Sequence, residues 1–186
     1  MIGVSARLSG TMNPIRIEEF QIDAPTRVAI QQLLQQCFDG YPARTFFKQA
    51  PAFRYLVWQQ QQLVAHLAVE HRMINNDGLL VRIFGISDLC VAPAFQHQRI
   101  ASRLLEALEQ LGRAHQIDFL MLQATDPAFY LRHQFANYDN TCKWLLIQGN
   151  QTLGVVHRRL SQSLMVKPLG TTPWKNGPVD FLGHVF

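Results

Sequence analysis

A turn rich in glutamine and arginine stands directly before an amphipathic helix in the middle of this chain. The turn holds Gln96, His97, Gln98 and Arg99, none of which is a Ser, Thr, Asp or Asn that caps a helix start well. The first N–H groups of the helix therefore lack a capping side chain at the positive end of the helix dipole. With the charges of Arg99 and Arg103, they predict a site for a phosphate or pyrophosphate. The alternative is a helix start capped by water, with solvated arginines.

The elements on either side of this turn are a strand and a helix. Leu79–Val91 is long for a strand, and Gly85 in its middle predicts a bulge or bend. The helix after the turn is identified by apolar residues that recur at helical spacing. These residues are Ile100, Leu104, Leu105, Leu108 and Leu111. The predicted anion site therefore lies at a strand-turn-helix junction.

The same junction carries a family resemblance. Its sequence, Val91-x-Pro93-x-x-Gln96-x-x-Arg99-Ile-Ala101-Ser-x-Leu-Leu, resembles the acyl-CoA motif of the GCN5-related N-acetyltransferases, Gln/Arg-x-x-Gly-x-Gly/Ala. Gln96 and Ala101 match the motif, whereas Arg99 stands where the family usually has Gly. The resemblance implies acetyl-CoA as cosubstrate. The three widely spaced cysteines, Cys37, Cys90 and Cys142, predict no structural metal. The backbone that would hold the phosphates of acetyl-CoA is Gln96, His97, Gln98, Arg99, Ile100, Ala101 and Ser102.

The resemblance also implies a fold and a path for the cosubstrate. The implied fold is α/β, with a central mixed, mostly antiparallel sheet of about six or seven strands, splayed at strands 4 and 5, and flanking helices. In that fold the backbone of Leu89, Cys90 and Val91 would bond the pantetheine arm. Leu63-Val-Ala-His66 together with the turn is also similar to aminoglycoside 2'-N-acetyltransferases, and a weaker likeness is to nodulation N-acyltransferases.

A tyrosine further along the chain is the candidate proton donor. Tyr130-x-x-x-Gln134-Phe135 looks like the Tyr-x-x-x-Gly-Phe helix of the same family, with Gln134 in place of Gly. In the family this tyrosine lies near the CoA sulfur and returns a proton to the leaving thiolate. A phenol with a pKa of about 10 is neutral at pH 7 and suits that task. The alternative is a core tyrosine whose hydroxyl is bonded.

The general base is left open by the sequence. Many family members use a Glu at the position that aligns with Ser87, which cannot be a strong base. Asp88 is adjacent, yet strand alternation points it to the opposite face unless a bulge re-aims it. His66 and His71 fall on opposite faces of the preceding strand, and either is more often a surface or core histidine. Because no His or Asp is placed to ionise Cys90, the sequence favours direct transfer to the amine.

Other strands and helices follow from periodicity and turn signals. Residues 15–22 predict a first strand, and Asp23 with Pro25 predicts a helix up to Gly40. Asn75-Asn-Asp-Gly78 is a strong hairpin signal. Predicted strands cover residues 53–59, 62–74, 118–123, 141–147 and 153–166. Residues 171–181 contain too many Gly and Pro for a helix or central strand.

Length and composition predict one domain over residues 1–186, with residues 1–13 a flexible arm. The resemblance to aminoglycoside 2'-N-acetyltransferases implies that residues 168–186 form a tail over the acceptor site. The chain has 186 residues, 48% hydrophobic and 16% charged, enough for one core. No apolar run approaches the ~20 residues that span a bilayer, so we expect a cytoplasmic protein without a membrane partner. The three cysteines read as buried thiols. The net charge of +4 is scattered, which argues against nucleic acid; a homodimer is left open.

The acceptor is predicted to be a small-molecule amine that is neutral or singly charged. Trp174-x-x-Gly177-x-Val179 is similar to the carboxyl-terminal segment of aminoglycoside 2'-N-acetyltransferases, whose polycationic substrates need several carboxylates. Here Asp39, Asp88 and Asp180 are balanced by nearby Arg44, Lys48 and Lys175. Trp174 would supply a flat wall and Asp180 would hold the ammonium group.

Two other function classes are alternatives to this acyltransferase. One is a non-catalytic module that binds acyl-CoA as a ligand, and aminoglycoside 2'-N-acetylation is a narrower alternative within the same chemistry. A nucleotide-phosphate enzyme of another fold is disfavoured, because the chain has neither a Gly-Lys-Ser/Thr loop nor a Gly-x-Gly-x-x-Gly turn.

Overall fold

A computed structural model describes residues 12–161 and 163–186, and these fall into two compact units. The first unit comprises the described residues through Ala68 together with Asp88–Ala107. The second comprises Val69–Ser87 and Leu108–Phe186. Residues 1–11 of the predicted flexible arm lie outside the described residues.

The first unit begins with a short strand and a helix. Strand β1, Ile15–Glu18, is followed by a 3-10 turn, Glu19–Gln21, and by helix α1, Ala24–Cys37. Asp23 caps the helix, because its carboxylate accepts from the Thr26 N–H at 2.8 Å, and a proline stands in the first turn. This confirms the predicted helix start. The predicted first strand is shorter than expected, since the chain leaves extended geometry at Glu19.

Strands β2 and β3 complete the sheet portion of this unit. Strand β2, Phe53–Gln59, pairs antiparallel with β1, and β3, Gln62–Asn76, pairs with β2. The apolar face of α1 packs on them through Ile30, Leu33 and Leu34, all buried. Burying such side chains stabilises the fold by ~1.5–3 kcal/mol each. The end of β4, Leu79–Val91, and the start of α2, Ile100–Ala114, belong to the same unit.

The second unit is built around a sheet of mixed direction. Its strands are ordered β6-β9-β5-β4-β3-β10-β7-β8. The elements not yet bounded are β5, Phe119–Gln123; α3, Ala128–Leu131; β6, Ala136–Asn137; β7, Asn140–Gln148; β8, Gln151–Leu160; β9, Leu164–Pro168; and β10, Val179–His184. Strand β4 pairs in parallel with β5, Ile83–Ile86 against Phe119–Leu122. The predicted α/β fold class is confirmed, with more strands than the six or seven expected.

The hairpin between β3 and β4 follows its sequence signal closely. Asp77 and Gly78 both have positive φ, 52° and 83°, as a two-residue hairpin turn of this kind requires. The side chain of Asn75 accepts from the Gly78 N–H at 2.8 Å. The predicted turn is therefore confirmed.

Two expectations about the carboxyl-terminal half were wrong. Residues 153–166 are not one strand, because the chain turns after Leu160 and re-enters the sheet as β9 beside β5. Residues 179–184 form a central strand, β10, antiparallel to β3 and parallel to β7. The Gly and Pro residues that argued against a strand all precede Val179, so they shape the approach to β10 rather than β10 itself.

Gly85 does not bend β4, contrary to the sequence-based expectation. Its backbone stays in the strand, and a Cβ at this position would collide with the Phe186 ring. The missing side chain therefore makes room for an aromatic ring. The departure from strand geometry comes at Asp88, where φ is 50°.

Among the described residues, none of the helices is both long enough and apolar enough to cross a bilayer.

Candidate functional site

The turn before α2 is exposed and follows an unusual backbone path. A 3-10 turn, Pro93–Phe95, leads from β4 into Gln96, His97, Gln98 and Arg99, all exposed. His97 and Arg99 have φ of 62° and 59°, a left-handed conformation that costs a residue with a Cβ about 1–2 kcal/mol. Arg99, which stands where the family motif has Gly, thus adopts the backbone conformation that Gly adopts freely.

The start of α2 presents N–H groups that Arg99 cannot cap. The Arg103 N–H donates to the Arg99 carbonyl at 3.1 Å, which makes Arg99 the residue flanking the helix. A guanidinium has no acceptor atom, so the Arg99 side chain cannot accept a hydrogen bond from the N–H groups of the first helical turn. Within the described chain the buried Arg103 Nε also has no hydrogen-bond partner. Positive charge and N–H donors therefore converge here, which suits a phosphate.

Strand β4, which leads to this turn, ends in hydrogen-bonded backbone groups next to the buried thiol of Cys90. Gln96 donates through Nε2 to the Val91 carbonyl at 3.3 Å, and the Ala92 N–H donates to Val64 at 2.8 Å. Cys90 is buried, and its pKa is raised by a hydrogen bond with Cys37 and by burial. A thiol in this state is a poor nucleophile.

Asp88 is re-aimed by its own backbone conformation. Its φ of 50° interrupts the side-chain alternation of β4. As a result, its side-chain carboxylate and its backbone carbonyl bond different residues. Its carboxylate accepts from the Tyr41 hydroxyl at 2.7 Å, and its carbonyl bonds the His66 Nδ1 at 2.8 Å. Burial and the neighbouring carboxylate raise the pKa of Tyr41, so this phenol keeps its proton and donates. Ser87, next to Asp88, is half-buried.

A buried polar chain lies behind Asp88. Glu19 bonds the Nε of Arg54 at 2.6 Å, and Arg54 Nη1 lies 2.7 Å from His66 Nε2. Arg54 and His66 have no exposed surface. Arg54 can only donate, so His66 Nε2 accepts and His66 Nδ1 carries the proton that is given to the Asp88 carbonyl. Burial and the Arg54 charge lower the pKa of His66 to about 3, which keeps the ring neutral.

The sequence does not reveal that Tyr41, Arg54 and Glu19 belong to this site. Arg54 stands inside the apolar run Phe53-Arg-Tyr-Leu-Val-Trp58, where a charged residue is unusual. A charged residue in such a run indicates a buried partner. Its partners are 12 and 35 residues away along the chain. No spacing rule in the sequence connects them.

Tyr130 lies in the second unit on the four-residue helix α3. Its ring makes edge contacts with Phe129 and Phe135, at centroid distances of 5.2 and 5.8 Å, and burial raises its pKa. It therefore holds its proton at neutral pH. Gln134, which stands where the family motif has Gly, has φ of 65°.

The acceptor-binding residues predicted from the tail have structural partners within the second unit. Trp174 donates from Nε1 to the Asn140 side chain at 3.0 Å and meets the Phe119 ring edge-on at 5.1 Å. Asp180 forms an ion pair with Lys143. Burial alone would raise the pKa of Asp180, but the hydrogen bonds from Lys143 and from the Leu182 N–H, together with nearby positive charge, lower that pKa. Asp39 is exposed just after α1 in the first unit.

A groove of about 700 Å³ also opens in the first unit. Its walls come from α1, from the turn between β2 and β3, and from Phe95 in the turn before α2. Six glutamines and no charged side chain line it; the glutamines are Gln32, Gln36, Gln59, Gln60, Gln61 and Gln62. Such a surface offers hydrogen bonds without favouring either sign of charge. Within residues 12–161 and 163–186, no cluster of three or more His, Cys, Asp or Glu side chains could hold a metal ion.

This chain is similar to known proteins in sequence and in fold. Residues 51–137 match the family model described as an acetyltransferase (GNAT) domain. The fold is similar to a GNAT family N-acetyltransferase from Escherichia coli, YhbS, in complex with CoA, with a TM-score of 0.62 and 16% identity over 93% of this chain and 92% of the other.

Two further solved structures share this fold. An acyl-CoA N-acyltransferase from Pseudomonas aeruginosa has a TM-score of 0.57 and 15% identity, over 84% of this chain and 99% of that one. The ribosomal-protein-S18-alanine N-acetyltransferase from Escherichia coli has a TM-score of 0.55 and 13% identity, over 86% and 96%. At these identities the likeness is one of fold.

Proposed function

Since this chain carries an acetyltransferase domain of the GCN5-related N-acetyltransferase superfamily, we propose that it transfers an acetyl or related acyl group from acyl-CoA directly to a primary amine of a small molecule. The observation that carries the proposal is the start of α2. Arg99, which flanks the helix, is exposed and has no acceptor atom for the N–H groups of the first turn, and the buried Nε of Arg103 has no hydrogen-bond partner within the described chain.

Acyl-CoA binds through its phosphates to the N–H groups of Ile100, Ala101 and Ser102, with Arg99 and Arg103 supplying charge. The backbone of Leu89, Cys90 and Val91 bonds the pantetheine arm. The related Escherichia coli structure that contains CoA supports acyl-CoA as the cosubstrate. Because much of the contact is electrostatic, affinity falls as salt increases.

Transfer proceeds in one displacement. The Asp88 carboxylate takes a proton from the acceptor ammonium, directly or through water, and the free amine attacks the thioester carbonyl carbon. The C–S bond breaks, and Tyr130 gives its proton to the CoA thiolate. The second proton leaves the nitrogen as the amide forms and passes through water to the Tyr130 phenolate, so the tyrosine is restored and the proton on Asp88 is released to solvent. Cys90 takes no part as a nucleophile, since its raised pKa keeps it a thiol.

The acceptor carries at most one positive charge. The charge of Asp180 is already balanced by Lys143, whereas the Asp88 carboxylate bonds a neutral phenol, so Asp88 is the acid assigned to the amine. A polycation would need several carboxylates to bind.

The test is CoA release measured with a panel of amines, together with a thermal shift on acetyl-CoA. The panel contains neutral amino sugars, monoamines, amino acids, a peptide with a free amino terminus and a tetracationic aminoglycoside. Amine-dependent CoA release is expected, and acetyl-CoA at millimolar concentration raises the Tm. A Tm rise without release for any amine favours the non-catalytic binding module. The absence of any Tm rise contradicts the acyl-CoA site itself.

Replacement of Tyr130 tests the assigned proton donor. Tyr130→Phe removes the hydroxyl and keeps the ring contacts with Phe129 and Phe135, so we expect kcat to fall by ~10²–10⁴ while the acetyl-CoA Kd changes little. Tyr138→Phe, at another tyrosine of the second unit, is the control. An unchanged kcat in Tyr130→Phe would assign the ring to packing alone.

A further inference from the structure

Asp88, the residue assigned as proton acceptor, has a positive φ, and no other described residue of β4 does. Left-handed geometry in a strand costs free energy for a residue with a Cβ. Something must hold this backbone in place, and two groups bond it. The Tyr41 hydroxyl bonds the carboxylate, and the His66 ring bonds the carbonyl.

The bond from His66 is the end of a longer chain. A regular strand presents its carbonyl groups to backbone N–H groups of its neighbour, whereas the Asp88 carbonyl accepts from a side chain. That side chain has one protonated nitrogen because Arg54 donates to the other. Arg54 is in turn held by the Glu19 carboxylate.

The direction of every hydrogen bond in this chain is fixed by the donors. Glu19 accepts from Arg54, Arg54 donates to His66 Nε2, and His66 Nδ1 donates to Asp88. The tautomer of His66 therefore depends on Arg54. In the other tautomer, Nε2–H and the guanidinium would be two donors facing each other, and the unprotonated Nδ1 and the Asp88 carbonyl oxygen would be two acceptors facing each other. Both hydrogen bonds would be lost.

A buried charge of this kind is not explained by stability alone. Taking the Arg54 guanidinium out of water costs several kcal/mol, which its ion pair with the partly exposed Glu19 only offsets. An apolar pair of similar volume would stabilise β2 and β3 at least as well. What the polar chain adds is a donor aimed at one carbonyl.

We propose that Glu19, Arg54 and His66 are positioning residues, which fix the left-handed backbone of Asp88 and so aim its carboxylate at the acceptor amine. This inference rests on the proposed acyl transfer, with Asp88 as the proton acceptor. The three residues do not touch substrate; they act through the Asp88 carbonyl.

Two substitutions at His66 separate the ends of the ring. The amide nitrogen of Asn falls near the position of Nδ1, so His66→Asn keeps a donor for Asp88 and loses the contact with Arg54. The amide of Gln reaches the position of Nε2, so His66→Gln keeps an acceptor for Arg54 and loses the donor to Asp88. Both side chains are uncharged and polar, which makes them matched.

The first measurement does not need the reaction. In protein labelled with ¹³C at the tyrosine ring, the Tyr41 signal is assigned by its loss in Tyr41→Phe. This signal reports the hydroxyl bond with Asp88. We expect it to move in His66→Gln and to stay near the wild-type position in His66→Asn. Equal shifts in both variants, or no shift in His66→Gln, overturn the proposal.

The second measurement is turnover with the best amine of the panel. A misplaced proton acceptor costs ~10–100-fold in kcat, so His66→Gln is expected to lose that much while the acetyl-CoA Kd stays within about twofold. His66→Asn should keep most of kcat. Equal losses in the two variants would show a structural role and overturn the proposal.

A milder variant keeps the proposal testable if His66→Gln does not fold. Glu19→Gln removes charge at the partly exposed end of the chain and should move the Tyr41 signal and kcat in the same direction by less. An unmoved Tyr41 signal in a folded Glu19→Gln protein counts against the chain acting as a unit. If wild-type protein acetylates no amine, the proposed function fails, and the Tyr41 signal alone decides the positioning role.

Discussion

At the residue scale, the neutral state of His66 makes stability depend on pH. Its folded pKa is about 3, below the value of about 6.5 for a free histidine. As pH falls through that window, the unfolded chain takes up a proton that the folded chain refuses, so the free energy of unfolding falls. The slope from this one group reaches at most about 1.4 kcal/mol per pH unit.

Substitution isolates this contribution. His66→Asn is less stable than wild type at pH 7, because the bond with Arg54 is lost, and we expect the difference to narrow as pH falls from 6.5 towards 4. Urea unfolding at several pH values measures it. His115→Asn, at an exposed histidine, is the control and should show no such trend. A difference that stays constant with pH would mean that His66 is not kept neutral by the fold.

The residues of the candidate site differ in how far the sequence reveals them. The turn before α2 was predicted because helix caps have few acceptable residue types, and its glutamines and arginine are not among them. Asp88 could not be assigned a direction, since a left-handed aspartate looks in sequence like any strand residue. Arg54 and His66 meet only through the pairing of β2 with β3, which no local pattern specifies.

At the element scale, the turn before α2 adopts left-handed geometry at a position where glycine is the natural residue. The strain at Arg99, φ 59°, amounts to ~1–2 kcal/mol, and glycine relieves it while adding ~0.5–1 kcal/mol of chain entropy to the unfolded state. We therefore expect Arg99→Gly to be more stable than Arg99→Ala by about 1 kcal/mol.

The comparison of these two variants is internally controlled. Both lose the exposed guanidinium and its long contact with Glu106, 3.7 Å, which contributes little at the surface. Only the backbone preference differs between them. Chemical denaturation gives the difference, and equal stability would show that the turn relaxes away from left-handed geometry in Arg99→Ala.

At the scale of the whole molecule, the largest departure from the sequence-based expectation is β10. The sequence predicts that residues 168–186 form a tail over the acceptor site. Instead they include β10, which lies between β3 and β7 and carries Phe181, with no exposed surface. Strand β10 is only six residues long and directly follows Gly177 and Pro178. These turn-forming residues therefore hide the strand pattern in the sequence.

Point substitution in β10 tests its place in the core. Phe181→Ala leaves a cavity in the second unit, and we expect a loss of ~3–5 kcal/mol in the free energy of unfolding. Leu182→Ala, at the exposed neighbour, should change stability by no more than about 0.5 kcal/mol. Similar values for the two variants, measured by urea unfolding, would contradict a buried β10.

The place of β10 has a consequence for the order in which the chain is made. Translation completes β3 and β7 before the strand that separates them exists, so a nascent chain leaves one edge of β7, and Asn75 and Asn76 of β3, without their partner strand. Open edges of this kind recruit other strands. Until the ribosome delivers Val179–His184, the gap is a site where chaperones, or the same segment of a neighbouring nascent chain, can bind.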